Sequence, residues 1–203
     1  MPRAKQRTPA LRDRLVSVSV ELLEREGVAA VTTRGVAAAA QTSTPAVYEL
    51  FGDKRGLVRE VFFEGFRLLR RSLDTLGDSG DTRADLVRLV EIYRGFLRAN
   101  PELSQVMFSR PFLDFEPGPA ELRATSSVRM FIVERVRRAV DAGVLYGDET
   151  DLAHALVALV QGLAAAEQAR RLGTSRASIQ RRWALAVKAL LDGFSEPPRD
   201  ASS

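Results

Sequence analysis

The segment from Thr32 to Leu57 constrains the fold of this 203-residue chain more than any other, because it predicts two short helices joined by a tight polar turn. The alanines at 37–40 are small enough to let one helix lie close against another. The polar residues at 41–43 interrupt the apolar run and predict the turn. Thr44 is expected to cap the second helix with its hydroxyl, and Pro45 fits the first helical position, where no amide donor is needed.

The second short helix has one apolar side and one outward side. Helical spacing places Val47, Leu50 and Phe51 on the apolar side. The predicted outward side holds Thr44, Ala46 and Glu49. Two helices set at a large angle by a short turn form a helix-turn-helix, and its second helix enters the major groove of DNA. The segment therefore predicts contact with double-stranded DNA.

This region resembles the signature of TetR/AcrR-type bacterial transcriptional regulators. The pattern VYxxFxxKxxL at 47–57 carries the likeness, and LxxxxxxLxxxxG at 15–27 is similar to the first helix of that family. The resemblance covers about the first third of the chain. Four residues depart from the family pattern: Gln41 and Thr42 replace a glycine and a valine, Pro45 replaces a glycine, and Glu49 replaces a histidine or arginine.

Composition is that of an ordinary globular protein, with 45% hydrophobic and 28% charged residues. No apolar stretch reaches the roughly 18 uncharged residues that a membrane span needs. No apolar signal region follows the basic start of the chain. The absence of cysteine excludes disulfides and cysteine-based zinc sites, and it suits a cytoplasmic protein.

The first fourteen residues form a basic arm in which only Asp13 opposes the positive charges. Its cations are Arg3, Lys5, Arg7, Arg12 and Arg14. Such an arm can neutralise phosphates and release counterions. A solvated tail is the alternative, and the neighbouring helix-turn-helix favours DNA contact.

Helical patterns fill nearly the whole chain and predict an all-α fold of about nine helices, with the first at about 9–26, the third at 44–51 and the fifth at 82–99. Residues 1–55 are expected to form the three-helix DNA-binding domain with its basic arm. Residues 56–196 are expected to form a helical effector-binding and dimerisation domain, and residues 197–203 a disordered tail. A long helix from Lys54 to about Leu76, capped by Asp53, joins the two domains.

Side chains that contact DNA are predicted from their physical role and from the TetR resemblance. Thr33 and Arg34 begin one helix and Lys54 begins another, where the helix dipole and the free amides favour an anion. Tyr48 has a hydroxyl that can reach a phosphate. The alternatives are a packed Tyr48, a purely capping Thr44 and a solvated Lys54. The full predicted set is Thr33, Arg34, Thr42, Ser43, Thr44, Pro45, Ala46, Tyr48 and Lys54.

No catalytic group stands out in residues 56–196. His154 is the only histidine and lies in an apolar helix, so we expect a packed or interface residue rather than a general base. The sequence has no metal-ligand spacing and no glycine-rich phosphate loop after a strand. We therefore predict no metal, no cofactor and no enzymatic activity, with an all-α enzyme as the weaker alternative.

Large apolar side chains are abundant in the second predicted domain. Most belong to a core, and some can line a cavity between helices, the usual place for a small ligand in a bundle. The resemblance implies such a pocket for a small apolar or amphipathic effector. The candidates are Phe66, Tyr93, Phe96, Met107, Phe108, Phe112, Met130, Phe131, Gln161 and Glu167. Residues 157–162 also resemble a TetR subclass named for a Trp-His-Gly pattern, of which only Gly162 is kept.

Two apolar helices near the C-terminus predict a homodimer surface, and the resemblance implies a four-helix interface there. The candidates are Leu152, Leu156, Leu159, Leu163, Ile179, Trp183, Val187 and Leu190. The alternative is that both helices only close the core of one chain. Two copies about one DNA turn apart, roughly 34–36 Å, would read a palindromic operator.

These features together predict a homodimeric repressor that a small-molecule effector releases from its operator. The effector would favour a state in which the long helix from Lys54 swings, and it can do so only by its differential affinity for the two states. The alternative is a DNA-binding regulator without a small effector, controlled by its level or by a protein partner.

Overall fold

The computed structural model describes residues 9–108 and 119–197. Within these ranges the regular secondary structure is helical, which confirms the all-α prediction. A short 3-10 turn, Val28–Ala30, follows the first helix. The nine described helices are α1 Pro9–Glu26, α2 Thr33–Ala39, α3 Thr44–Phe51, α4 Lys54–Leu73, α5 Thr82–Ala99, α6 Pro101–Phe108, α7 Pro119–Asp141, α8 Glu149–Gln168 and α9 Arg176–Gly193.

The chain divides into two compact units. The first unit takes the chain up to Leu68 together with a later segment that begins at Asn100 and includes α6. The second unit takes Leu69–Ala99 and the chain from Leu122 onward. The single helix α4 therefore starts in the first unit and ends in the second.

The first unit has an apolar core. Leu15, Leu23, Val47 and Leu57 have no exposed surface, and burial of each such side chain contributes roughly 1.5–3 kcal/mol. Ser19 is buried with them, and its hydroxyl donates a 2.7 Å hydrogen bond to the carbonyl of Leu15. That bond offsets the cost of removing a hydroxyl from water.

Helix α6 is held in the first unit by contacts with α1 and α4. The carboxylate of Glu24 accepts a 2.8 Å hydrogen bond from the amide of Leu103, in the first turn of α6. On α4, a Cβ atom at Gly65 would lie 2.6 Å from the sulfur of Met107. The glycine therefore allows α4 and α6 to approach closely.

The second unit is built around α8, which packs against α5 and α9. Tyr93 on α5 is 2% exposed, and its hydroxyl accepts a 3.1 Å hydrogen bond from the amide nitrogen of Gln161. Burial raises the pKa of the Tyr93 hydroxyl to about 12. The structure thus keeps this phenol neutral over the ordinary pH range.

The last turn of α4 differs from the sequence expectation, which carried the helix on to about Leu76. Regular helix ends at Leu73, because the amides of Thr75 and Leu76 bond three residues back, to Ser72 and Leu73. Such bonds are typical of a tightened helix end. Across the two described ranges, no helix is both long and apolar enough to cross a membrane.

Candidate nucleic-acid interface

The first short helix begins at Thr33 because the preceding residue caps it. Thr32 has an extended backbone, and its hydroxyl accepts a 3.0 Å hydrogen bond from the amide of Gly35. Arg34, in the first turn, is exposed, and Thr33 is half-exposed. The positive end of the helix dipole and an exposed guanidinium thus occur together, an arrangement that favours a phosphate.

The turn between α2 and α3 is a Schellman motif. The amide of Gln41 bonds to the carbonyl of Ala38 at 3.1 Å, and the amide of Thr42 bonds to the carbonyl of Ala37 at 2.9 Å. Gln41 has a φ of 54°, in the left-handed region that favours glycine. The left-handed backbone conformation therefore explains the glycine that the TetR pattern has at this position. Gln41 adopts the same conformation at a cost in conformational free energy.

The start of α3 corrects one expectation. Thr44 already has helical geometry, and the extended residue before the helix is Ser43, whose side chain makes no capping bond. Pro45 consequently stands second in the helix. The prediction that Thr44 caps α3 is wrong, because the chain turns helical one residue earlier. Among the described residues, neither the Ser43 nor the Thr44 hydroxyl has a hydrogen-bond partner, so both can bond to another molecule.

The outward side of α3 is narrower than the sequence indicated. Tyr48 is 52% exposed, and Pro45 and Glu49 are exposed beside it. Ala46 is 9% exposed and belongs to the inner side. It lies one residue before Val47 and four before Leu50, so helical spacing turns it toward the core. Ala46 is therefore removed from the predicted contact set, and packing of Tyr48 between helices is excluded.

Helix α4 begins with a side-chain cap, as expected. The carboxylate of Asp53 accepts a 2.8 Å hydrogen bond from the amide of Gly56. Lys54, the first residue of the helix, is half-exposed. A Cβ atom at Gly56 would lie 1.8 Å from the carbonyl oxygen of Phe51, so only glycine permits α4 to start this close to the end of α3. Sequence reasoning missed this role of Gly56, which the distance in space alone reveals.

Arg12 holds α3 in place and is not a free cation of the basic arm. Its guanidinium donates to the carbonyl of Leu50 at 3.0 Å and to the carboxylate of Glu60 at 2.5 Å. The same group lies 5.0 Å from the centre of the Phe51 ring. The prediction that Arg12 contacts phosphate is therefore replaced by a positioning role. Arg14 is exposed, and Arg3, Lys5 and Arg7 lie outside the described residues.

The candidate effector residues that the structure describes belong to both units. In the first unit Phe66 packs against Phe108, with ring centroids 5.7 Å apart, and Met107 fills the space beside Gly65. In the second unit Tyr93 and Phe96 are buried, and Gln161 bonds to the Tyr93 hydroxyl. Phe112 lies outside the described residues.

Three further candidates on α7 and α8 have specific surroundings. Met130 is 65% exposed, because the inward stripe of α7 runs through Val128 and Ile132 on either side of it. Met130 therefore faces solvent and does not line an interior pocket. Phe131 is covered by the guanidinium groups of Arg70 and Arg135, which lie 4.5 and 5.1 Å from the centre of its ring. The Glu167 carboxylate accepts hydrogen bonds from Arg94 and from the Trp183 indole, the latter at 2.7 Å.

The candidate dimer residues fall into two groups. Four are at most 6% exposed within a single chain, so they belong to its core and are removed from the predicted dimer surface: Leu152, Leu156, Trp183 and Val187. The other four are half-exposed: Leu159, Leu163, Ile179 and Leu190. Leu185, which the sequence prediction omitted, is 66% exposed on α9.

Comparison with known proteins supports the DNA-binding interpretation. Residues 15–61 match the family model described as bacterial regulatory proteins of the tetR family. Residues 86–190, about half of the chain, match the tetracyclin repressor-like C-terminal domain. The narrower Trp-His-Gly likeness stays a prediction. No curated protein matches the sequence.

Solved structures share the whole fold at low sequence identity. A protein of unknown function from Rhodococcus sp. RHA1 has a TM-score of 0.81 at 23% identity, over 93% of this chain and 97% of that one. A tetR-family regulatory protein from Rhodococcus RHA1 has a TM-score of 0.64 at 20% identity, over 92% and 98% of the two chains.

The transcriptional regulator PfmR from Thermus thermophilus has a TM-score of 0.62 at 18% identity, over 87% of this chain and 98% of that one. At such identities these likenesses concern the fold. The two family models carry the assignment, because together they match the helix-turn-helix and most of the second unit. The chain therefore belongs to the TetR family of bacterial regulatory proteins, which bind DNA, regulate transcription and are not enzymes.

Proposed function

We propose that the protein is a homodimeric transcriptional repressor that leaves its operator when a small molecule binds the second unit. The observation that carries the DNA part is the outward side of α3. It presents the exposed Pro45 and Tyr48 and the hydroxyl of Thr44. The first turns of α2 and α4 add the cationic side chains of Arg34 and Lys54.

Each of these groups has a distinct role in the proposal. Arg34, Lys54 and the Tyr48 hydroxyl bind phosphates, because cationic side chains at helix starts and tyrosine hydroxyls fix a protein on the duplex without reading its sequence. Thr44 and Pro45 meet base edges, where an apolar surface suits a thymine methyl and a hydroxyl bonds to any base. Thr33, Thr42 and Ser43 complete the contact set from the turn.

The dimer follows from the size of the reading helix. Helix α3 has eight residues and exposes only part of one side, so one copy reads few base pairs. Two copies one DNA turn apart would read a palindrome. The half-exposed leucines of α8 and α9, with Leu185, supply the apolar surface for the interface.

Sedimentation equilibrium of the wild type and of Leu185→Arg tests the dimer. The wild type should be dimeric, and the variant should dissociate because a charge replaces a large exposed apolar side chain. Met130→Arg is the matched control, since Met130 is 65% exposed on another helix. A wild-type monomer, or equal dissociation of both variants, would contradict the proposed surface.

The effector part rests on the path of α4. This helix is continuous from Lys54 to Leu73, and its two ends belong to different units. A ligand that prefers one arrangement of the second unit can therefore shift the first turn of α4, and with it the DNA contacts. We place the protein in the cytoplasm because its proposed partner, chromosomal DNA, lies there.

Selection of genomic fragments by the full-length protein, followed by sequencing, tests the function as a whole. The expected result is a small set of palindromic sites upstream of genes, bound tightly in the absence of ligand. Expression from those promoters should rise when the gene for this protein is deleted. Recovery of random fragments would exclude sequence-specific binding, and a fall in expression would make the protein an activator.

A further inference from the structure

We propose that the second unit binds a monocarboxylate with an apolar body, in a groove between α5 and α9. The groove has a volume of about 460 Å³, within the range of roughly 300–1,000 Å³ that small-molecule sites have. Its floor is apolar: Val90, Trp183 and Leu191 are at most 3% exposed. Val87, on the rim, is 38% exposed. The floor therefore offers a surface for a hydrocarbon or a ring.

A cationic corner adjoins this groove. A second cavity of about 280 Å³ shares Arg94 and Gln180 with it, so the two spaces adjoin at these side chains. The corner is also lined by Arg98 and Arg176 and by one carboxylate, that of Glu167. Three guanidinium groups thus surround one negative charge at the end of an apolar groove.

Two of the three arginines share one carboxylate, and the third has no ion-pair partner among the described residues. Arg94 is paired with Glu167 at 3.0 Å, and its guanidinium lies 4.5 Å from the Trp183 ring centre. Arg98 lies 3.7 Å from the same carboxylate and is 55% exposed. Arg176 forms no ion pair with any residue that the structure describes. The corner therefore holds three cations and one carboxylate, and an anion there would balance part of the excess positive charge.

The anion that fits best has a single negative charge. The Glu167 carboxylate borders the same cavity and would repel a doubly charged phosphate more strongly than a carboxylate. Arginine binds carboxylates through two parallel hydrogen bonds, and the Gln180 amide can donate another. A carboxylate head group therefore satisfies the corner without displacing Glu167.

The opposite end of the groove fixes the orientation of the ligand. There Asp192 is paired with Arg83 and with Lys188. Both cations at this end already have a carboxylate partner, whereas Arg176 in the corner has none among the described residues, so the corner is the stronger site for an anion. The apolar body should extend along α5 toward Val87, a rise of roughly 16 Å from Arg98 at about 1.5 Å per residue.

This inference does not depend on the DNA-binding proposal. Of the predicted effector candidates that the structure describes, Glu167 lines the corner and none of the others lines the corner or the groove. Trp183 is the only tryptophan in the chain and forms part of the floor, so its fluorescence reports directly on occupancy. The site can therefore be tested in the full-length protein without DNA.

The experiment titrates the protein with decanoate below its micelle concentration while the Trp183 emission is recorded. Decanol and decyltrimethylammonium have the same apolar chain with no charge or the opposite charge. Decanoate should saturate the signal, with an affinity roughly tenfold or more above that of either analogue. Equal affinities for all three, or no saturable change, would overturn the proposal.

Variants locate the site. The double variant Arg98→Gln/Arg176→Gln should weaken decanoate binding roughly tenfold and leave decanol unaffected. The control Arg129→Gln/Arg181→Gln removes two exposed charges that line neither cavity, and it should bind decanoate as the wild type does. Val87→Glu puts a carboxylate in the groove at an exposed position and should abolish the response. Unchanged binding by Val87→Glu, or equal weakening in the control, would place decanoate elsewhere and overturn the proposal.

Discussion

The guanidinium of Arg12, on α1, donates a 3.0 Å hydrogen bond to the main-chain carbonyl of Leu50, in the last turn of α3. Carbonyls at the end of a helix have no partner within that helix, and the negative end of the helix dipole favours a cation beside them. Glu60 on α4 holds the same guanidinium from the other side. Arg12 thus connects α1 to both α3 and α4.

Arg12→Met should therefore disturb the position of α3. The Leu50 carbonyl and the Glu60 carboxylate would each lose a partner, and we expect a loss of about 1–3 kcal/mol in the free energy of unfolding in urea. Amides at the end of α3 should exchange with solvent faster in the DNA-free protein. Arg25→Met is the matched control, because within the described ranges Arg25 pairs only with its neighbour Glu26.

Operator binding separates this positioning role from a phosphate contact. Arg12→Met should weaken specific binding while the salt dependence of binding to random duplex stays unchanged. A shallower slope, by about one phosphate contact, would mean that Arg12 touches DNA directly and would contradict the assignment.

Gln41→Gly should stabilise the protein. Gln41 has a φ of 54°, a conformation that costs a residue with a Cβ about 1 kcal/mol, and we expect a gain of roughly 0.5–1 kcal/mol in thermal or urea unfolding. Arg170, with a φ of 55°, offers the same test just after α8, and the two gains should add. Gln105→Gly, at an exposed position inside α6, should have the opposite sign. Equal effects of Gln41→Gly and Gln105→Gly would disprove the conformational explanation.

Lys54→Ala and Tyr48→Ala should weaken binding to every duplex, because both side chains are assigned to phosphates. For Lys54→Ala the slope of log affinity against log salt should fall by about 0.9. Thr44→Ala should instead change which sequences are preferred, as measured by selection from random DNA. Lys188→Ala, in the second unit, removes a charge without any predicted effect on the slope. Unchanged binding by all three interface variants would remove the assignment.

Gly56→Ala should be strongly destabilising. The added methyl would lie 1.8 Å from the carbonyl oxygen of Phe51, so the start of α4 must move, at a cost of roughly 1–3 kcal/mol or more. Gly95→Ala is the control, because no atom lies within 4 Å of the added methyl in the exposed middle of α5. Its expected effect is a gain of about 0.5–1 kcal/mol. A neutral Gly56→Ala would show that the α3–α4 turn relaxes easily.

Stability should fall at high pH through Tyr93. Its pKa is about 12 in the folded protein and 10.0 in the unfolded chain, so the unfolded state loses the proton first. The stabilising effect is complete below pH 10 and is lost as the pH rises from 10 to 12, by at most roughly 3 kcal/mol. Urea unfolding at several alkaline pH values measures it, and Tyr93→Phe should flatten the curve over this window. An equally steep curve for Tyr93→Phe would assign the effect to other groups.

Local patterns along the chain determined the class of the fold and several helix bounds. The limits of α1, α3 and α5 agree with prediction, because apolar spacing and the turn residues that flank each helix are properties of neighbouring residues. The motif at 47–57 determined the family for the same reason. The N-cap position of α3 was predicted one residue too late, at Thr44 in place of Ser43, since both residue types are equally good caps in sequence.

Only the tertiary structure decided what distant residues do to one another. Arg12 lies 38 residues from Leu50, and no periodicity relates the two. Three further features depend on how the helices pack. They are the burial of Trp183 and Leu156 within one chain, the place of α6 in the first unit, and the cationic corner at Arg98. Sequence patterns report the side of a helix that is apolar. They do not report which other helix covers that side, because many partners can bury the same apolar area.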